Sequence, residues 1–246
     1  MSSTVVTYES RDGVAIITLN RPDKRNAINN DMATQLRAAL ERLNDGDDRV
    51  GILTHTGAHF TGGADIKGPP EDFPACVPNI GLPMQKPLIA AVGGWVVGGG
   101  MVIVQMCDLC IAAEDAKFMF PEAKIGVTGA AIAGLAARIP HKVAMELMLV
   151  GNEISAERMY QVGFVNQVVK PGEQLNAAMV WARQLAENAP MVVAVLRDYV
   201  GRIIPKGPSE LAAQGRATIQ RIRQSADAKE GIASFKEKRK PTFRGK

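Results

Sequence analysis

The chain has 246 residues, 46% of them hydrophobic, and a net charge of +4, which suffices for a core of ordinary depth in one domain or in one domain with an appended subdomain. No run approaches the ~20 apolar residues of a membrane-spanning helix, and the opening Met1-Ser2-Ser3-Thr4-Val5-Val6 lacks the basic region and apolar block of a signal peptide, so a cytoplasmic protein with no membrane partner is expected. Cys76, Cys107 and Cys110 are too few for a disulfide framework in a chain of this length, which fits a reducing compartment.

The first elements form a hairpin: residues 5–8 and 14–19 alternate apolar and polar side chains about the turn signal Asp12-Gly13, and Asn20-Arg21-Pro22 ends the second strand. A helix follows, capped by Asn29 or Asn30, with Met32, Leu36, Ala39, Leu40 and Leu43 at helical spacing until Asn44-Asp45-Gly46 stops it. A short strand at residues 50–54 leads into the glycine turn Phe60-Thr61-Gly62-Gly63-Ala64-Asp65-Ile66-Lys67. Another at residues 88–92 leads through Gly93-Gly94 to a second turn, Gly98-Gly99-Gly100. The nearly uncharged run Met101-Val102-Ile103-Val104-Gln105-Met106 after it predicts a short buried helix. Strands are expected at residues 109–113 and 118–120. Strand, glycine turn and helix thus recur near residues 50 and 90, a loose repeat that predicts an α/β fold of stacked sheet layers wrapped by helices.

Beyond Pro121 the pattern is helical. Helices are expected over residues 130–138, 142–149, 156–161, 173–188, 191–202, 209–223 and 227–238, with one strand near 165–169. Ser155 is a plausible N-cap, and Pro190, Pro205 and Pro208 punctuate the later helices. The chain divides into a mixed sheet core at residues 1–189 and a helical region at residues 190–246.

Both glycine turns free backbone N–H groups to point at a ligand, and together they suggest an oxyanion hole. The candidate donors are the N–H groups of Ala64 and Gly99. The candidate base is Glu122, in Phe118-Met119-Phe120-Pro121-Glu122, where apolar neighbours disfavour the charged form and raise the pKa. Cys107-Asp108-Leu109-Cys110 has C-x-x-C spacing but no second cysteine pair, and it runs into Ile111-Ala112-Ala113 as a core strand would. His55 and His59 flank Gly57 at a strand end and do not form a helical metal pair, so no metal is expected. His141, after Pro140, reads as the surface start of a helix. Gly-x-Ser-x-Gly, Gly-x-Gly-x-x-Gly and Walker A patterns are absent, which argues against a nucleophile-elbow hydrolase, a Rossmann dehydrogenase and a P-loop enzyme. Residues 236–246 hold six basic side chains and one acid, a solvated end or a holder of phosphates.

Asn20-Arg21-Pro22 with Asn26-Ala27, Gly63-Ala64-Asp65-Ile66, Gly98-Gly99-Gly100, Cys107-Asp108, Pro121-Glu122 with Gly126, and the ending Phe235-Lys236-Glu237-Lys238-Arg239-Lys240 keep one order along the chain. As a set they resemble the enoyl-CoA hydratase/isomerase family, the crotonase superfamily. The resemblance implies a spiral core of ββα units and a C-terminal helical region used in trimerisation, giving a homotrimer or a dimer of trimers. It implies a coenzyme A thioester as substrate, with no separate cofactor, whose carbonyl is held by the N–H groups of Ala64 and Gly99. The CoA part would lie near Lys24, Arg25 and Ala27, along Gly62, Ala64, Asp65, Ile66 and Lys67, and against Phe235 and Lys238 of a neighbouring subunit. The basic tail then clamps the anionic nucleotide of CoA, and no nucleic-acid partner is expected.

One departure matters. Hydratases of this family carry a glutamate two residues after the last glycine of the Gly-Gly-Gly turn, and here that position is Val102. A valine cannot accept a proton or orient water, and loss of one acid–base group typically costs ~10²–10⁴-fold in rate. A single glutamate still suffices to move a proton between carbons, as in the family's Δ3,Δ2-enoyl-CoA isomerases, so a shift from 3-enoyl to 2-enoyl-CoA by Glu122 is the expected reaction. Hydration with Glu71 or Asp72 as substitute acid stays open, as do decarboxylation or hydrolysis of a CoA thioester and a non-catalytic acyl-CoA-binding role. The segment Gly126-Val127-Thr128-Gly129-Ala130-Ala131-Ile132-Ala133-Gly134 also departs from the hydratase pattern and adds no acid. Phe73, Met84 and Trp95 are candidate acyl-pocket linings.

Overall fold

The computed structural model describes residues 4–127 and 131–245. Strands β1 (Val6–Arg11) and β2 (Val14–Leu19) form the hairpin, turning at Asp12 and Gly13, both with positive φ. Helix α1 (Asn30–Asp45) starts where the Asn29 side chain accepts the Met32 N–H at 3.0 Å, and it buries Met32, Leu36, Leu40 and Leu43 completely.

β3 (Val50–His55) and β4 (Leu88–Val92) read as continuous apolar runs because each joins a parallel sheet covered on both faces. After β4 the chain crosses to a second sheet as β5 (Trp95–Val97), enters α2 (Gly99–Gln105), and returns to the first sheet as β6 (Leu109–Ala113). It crosses again as β7 (Lys117–Met119) into α3 (Glu122–Ile125). A 3-10 turn (Ala131–Ala137), α4 (His141–Met145), a π turn (Glu146–Val150), β8 (Ile154–Ser155), α5 (Ala156–Gln161), β9 (Gln167–Val169) and α6 (Gln174–Glu187) follow. The first sheet has the order β1-β2-β3-β4-β6-β9, and the second β5-β7-β8. This is the crotonase-like arrangement of repeated ββα units. The main core fills the space between the sheets with α1 and α2, while α6 covers the other face of the large sheet through Ala178, Met179 and Ala182.

Helices α7 (Pro190–Ile203), α8 (Pro208–Gln224) and α9 (Ala226–Lys236) complete the chain. They leave a cleft of about 1050 Å³ against the C-terminal end of α2, lined by Met84, Met106, Arg138, Leu196, Val200 and Glu210. Within it the carboxylate of Glu210, 1% exposed, pairs with Arg138 at 3.3 Å and accepts the Gly207 N–H at 2.7 Å. Among the described residues no helix is long and apolar enough to cross a membrane.

Several expected elements take a different form. The helix expected over residues 130–138 is the 3-10 turn Ala131–Ala137, with Ala130 outside the described residues. A side chain at Gly134 would meet the Glu210 carboxylate at 2.5 Å, so the segment is shaped by that tertiary contact and not by helical periodicity. The helix expected over 142–149 splits into α4 and the π turn, ending at Gly151 with φ 64°. The strand expected at 118–120 is Lys117–Met119, and the one near 165–169 is Gln167–Val169. β5 and β8, of three and two residues, are too short to carry a period and escape sequence reading.

Candidate active site

The first glycine turn is fastened on both sides by backbone. Thr61 pairs with β5, its N–H donating to Trp95 O at 2.9 Å and its carbonyl accepting from Val97 N at 3.1 Å. Its hydroxyl donates to Asn26 O at 2.7 Å and accepts the Gly63 N–H at 3.1 Å. The Gly62 N–H donates to Arg25 O, Ile28 N–H to Gly63 O, and Asp65 N–H to Ile28 O. Ala64 sits amid these bonds, yet its N–H has no acceptor among the described residues.

The second turn is reached through Gly98, whose N–H donates to Met119 O at 3.0 Å and whose φ of 54° suits glycine. A Cβ there would come within 2.7 Å of Glu122 Oε1 and 4.0 Å of Gly63 Cα. The two turns and the Glu122 carboxyl therefore meet at one point. Gly99 opens α2, and its N–H too has no acceptor among the described residues. A Cβ on Gly99 would meet the Phe73 ring at 2.8 Å.

Glu122 is the first residue of α3, carried to this point by β7 and Pro121. Its Oε2 is buried without a hydrogen-bond partner, and burial pushes its pKa up to about 7. An acid of that pKa exchanges its proton readily near neutral pH. No second carboxylate faces it from α2, because the position one turn along is Val102, 4% exposed. Glu71 and Asp72, the candidate substitutes, are exposed, and neither carboxylate hydrogen-bonds to the glycine turns. Two unpaired donors beside one perturbed carboxyl form a place where a carbonyl oxygen can gain negative charge as a nearby C–H loses its proton.

The remaining expected residues fall into two places. Lys24, Arg25 and Ala27 lie beside Gly62, Ala64 and Ile66 because the two loops are bonded to each other, and Lys24, Arg25, Lys67 and the 91% exposed Ile66 face solvent there. Arg25 and Asn26 both take positive φ. The buried Asn26 side chain holds that kink, accepting the Arg21 N–H at 2.6 Å and donating to Thr56 O and His59 O. The Asp65 side chain is directed inward instead, paired with Arg21 at 2.7 Å, a hydrogen bond that lowers its pKa. Phe235, 85% exposed, and Lys238 stand at the end of α9, which packs against α8. The tail folds back on α9 through Arg239 with Glu230 and through the Arg244 and Gly245 N–H groups on Asp227.

Of the three candidate pocket linings, Phe73 sets its side chain against a glycine turn, whereas Trp95 meets one through its backbone carbonyl. Trp95 begins β5 with the Lys117 ammonium over its ring at 5.3 Å, and Met84 lines the cleft under α7. His55 lies edge-on to Phe60 with both ring nitrogens buried and unpaired, and burial lowers its pKa. The Cys107 and Cys110 thiols are free, and burial raises both, Cys110 to about 12. Among the described residues no three metal-ligating side chains come together. Sequence reasoning missed Arg21, Asn26 and Thr61 as the fasteners of the loops, since the bonds that tie one loop to the other span 30 to 44 residues.

Comparison with known proteins bears on the family and the fold. Residues 9–246 match the family model described as enoyl-CoA hydratase/isomerase. The (E)-benzylidenesuccinyl-CoA hydratase of Thauera aromatica is 36% identical, with 98% of this chain and 99% of that protein covered. The crystal structure of a probable enoyl-CoA hydratase/isomerase from Mycobacterium abscessus covers both chains fully at 37% identity and a TM-score of 0.76. That of an enoyl-CoA hydratase from Mycobacterium tuberculosis covers 99% of this chain and 100% of its own, at 34% identity and a TM-score of 0.78. A full-length match in sequence, a common fold and two glycine turns closing on one carboxyl lead to a single conclusion: the chain belongs to the enoyl-CoA hydratase/isomerase family.

Proposed function

We propose that the protein shifts the double bond of an acyl-CoA thioester from the 3-enoyl to the 2-enoyl position. The Glu122 carboxylate takes a proton from C2, and the electron pair of that C–H bond moves toward the thioester oxygen, which the N–H groups of Ala64 and Gly99 stabilise as a dienolate. The dienolate then takes the proton back from Glu122 at C4, so the isomer forms with no atom gained or lost. Removing one such donor costs roughly 3–4 kcal/mol in comparable sites.

The observation that carries this reading is the Glu122 carboxyl with its Oε2 buried and unpaired, in a site where α2 offers a buried Val102 and no second acid. Coenzyme A enters as part of the substrate, its anionic end along Lys24, Arg25, Ala27 and residues 62–67. A second copy of the chain would bring Phe235 and Lys238, which fits assembly as a homotrimer or a dimer of trimers.

Hydration of a 2-enoyl-CoA is the second reading, favoured by the name of the Thauera aromatica relative. Pure protein given a 3-enoyl-CoA and, separately, crotonyl-CoA distinguishes the two. We expect rapid conversion of the first to the 2-enoyl isomer and little hydration of the second. Fast hydration of crotonyl-CoA by the unaltered protein would reject the isomerase reading. Binding of both without turnover would mark a non-catalytic subunit. Val102→Glu, which restores a second carboxyl on α2, is expected to raise hydration.

A further inference from the structure

A proton held on a catalytic carboxyl can return to the substrate or exchange with water, and the outcome depends on how dry the surrounding space is. Here the α2 side of that space is closed by an aromatic ring. A Cβ on Gly99 would stand only 2.8 Å from Phe73 Cζ and 2.9 Å from Cε2, so the ring lies against the residue carrying the second unpaired N–H.

The ring is firmly presented. Phe73 opens a 3-10 turn (Phe73–Cys76) in which Val77 N–H donates to Pro74 O at 3.1 Å, and Arg37 on α1 donates to Ala75 O at 3.1 Å. One helical turn beyond Gly99, the buried Val102 continues the apolar surface. Against these, Glu122 Oε2 is shielded from solvent and has no partner.

Building on the reading above, we propose that Phe73 is the water-excluding wall of the acyl site and sets how the abstracted proton divides between return to substrate and exchange with solvent. With the wall intact, the hydrogen leaving C2 reappears at C4. With water admitted, the protonated Glu122 trades its hydrogen for one from solvent before C4 is protonated, and the same isomer forms carrying a solvent hydrogen. No oxidant or co-reactant enters either path.

The test is turnover of a 3-enoyl-CoA in D₂O, with deuterium at C4 of the product measured by mass spectrometry for the unaltered protein and for Phe73→Ala. The expected result is a several-fold larger deuterium share in the variant while isomerisation continues. An unchanged share with continuing isomerisation overturns the role of Phe73 and leaves the isomerase reading intact. Should Phe73→Ala not fold, Phe73→Leu, which still opens the edge of the wall at Gly99, carries the same test with the same criterion. If the unaltered protein does not isomerise at all, that reading fails, and NMR titration of the ¹³C-labelled Glu122 carboxyl decides the wall separately. A midpoint that falls toward the ordinary carboxylate range in the variant supports water exclusion, and an unmoved midpoint rejects it.

Discussion

The glycine turns and the C-terminal helices handle exposed groups in opposite ways. Around Ala64 and Gly99 much of the neighbouring backbone is fastened to partners within the chain, while the N–H groups of these two residues and Glu122 Oε2 have no partner among the described residues. Along α7 the apolar side chains are left uncovered: Met191 is 80% exposed and Ile203 79%, with Val192, Leu196, Tyr199 and Val200 also exposed. Unpaired polar groups gathered at a point suit a small ligand. Uncovered apolar side chains spread along a helix suit a macromolecular surface. The first region is held together within one chain, and the second leaves apolar surface uncovered.

The sharpest way to break this contrast is to remove the carboxyl alone. Glu122→Gln keeps the shape of the side chain and should lower isomerisation by ~10²–10⁴-fold, measured by steady-state kinetics, with no loss of thermal stability. A large drop in Tm instead would mean that Glu122 is a fastener like its surroundings. The corresponding attack on the second region is Met191→Lys with Ile203→Asp. Each large apolar side chain buried on association is worth roughly 1.5–3 kcal/mol, so the pair should weaken self-association by ~10²-fold or more while the chain stays folded. Sedimentation would show this, and an unchanged assembly would place the interface elsewhere.

A smaller effect probes the fasteners themselves. Asp65→Ala removes the partner of Arg21, whose side chain is 20% exposed, and also the cap on the Lys67 N–H. The loss should be about 1–2 kcal/mol of stability, since a charged hydrogen bond is broken but water reaches both partners. Chemical denaturation checks it. KM should rise more than kcat falls, because the loop carrying the Ala64 N–H loosens without losing the carboxyl.

The same division explains how much of the molecule was legible in its sequence. The hairpin, α1, the parallel strands and the helices after residue 156 follow from local periodicity, and the structure forms them with shifts of at most three residues at their ends, the largest at β1, which runs on to Arg11. Both glycine turns were recognisable because glycine carries its conformational freedom in the residue type, whereas Glu122, a lone carboxyl after a strand, stood out only through its place among the motifs that resemble the family. Asp65 and Arg21 were not recognisable as a pair, because a salt bridge between distant loops leaves no local pattern. The 3-10 turn at Ala131–Ala137 was misread as a helix for a related reason, since the Glu210 carboxylate that crowds Gly134 comes from a helix far along the chain. Phe73 was one of three aromatic or sulfur side chains with equal claims, and only the folded path of its turn singles it out.

The mildest test varies pH without changing the chain, and it separates the carboxyl from the fasteners by sign. Burial lifts Glu122 from the usual 4.5 to about 7, so the fold binds its proton more tightly than the unfolded chain does. Its contribution to stability is therefore full below pH 4.5 and is lost progressively as pH rises to 7. Catalysis runs the other way, since only the carboxylate can take the C2 proton: kcat/KM should fall about tenfold per unit below the pKa and level off above it. Asp65, whose pKa is lowered, gives the opposite stability trend at acid pH, adding stability as it ionises. Glu122→Gln removes the first trend and keeps the second, so its Tm relative to the unaltered protein should climb between pH 5 and 8. A difference that stays flat across that range would mean that Glu122 titrates as an ordinary surface acid, and the contrast between an unpaired site and a fastened frame would lose its central residue.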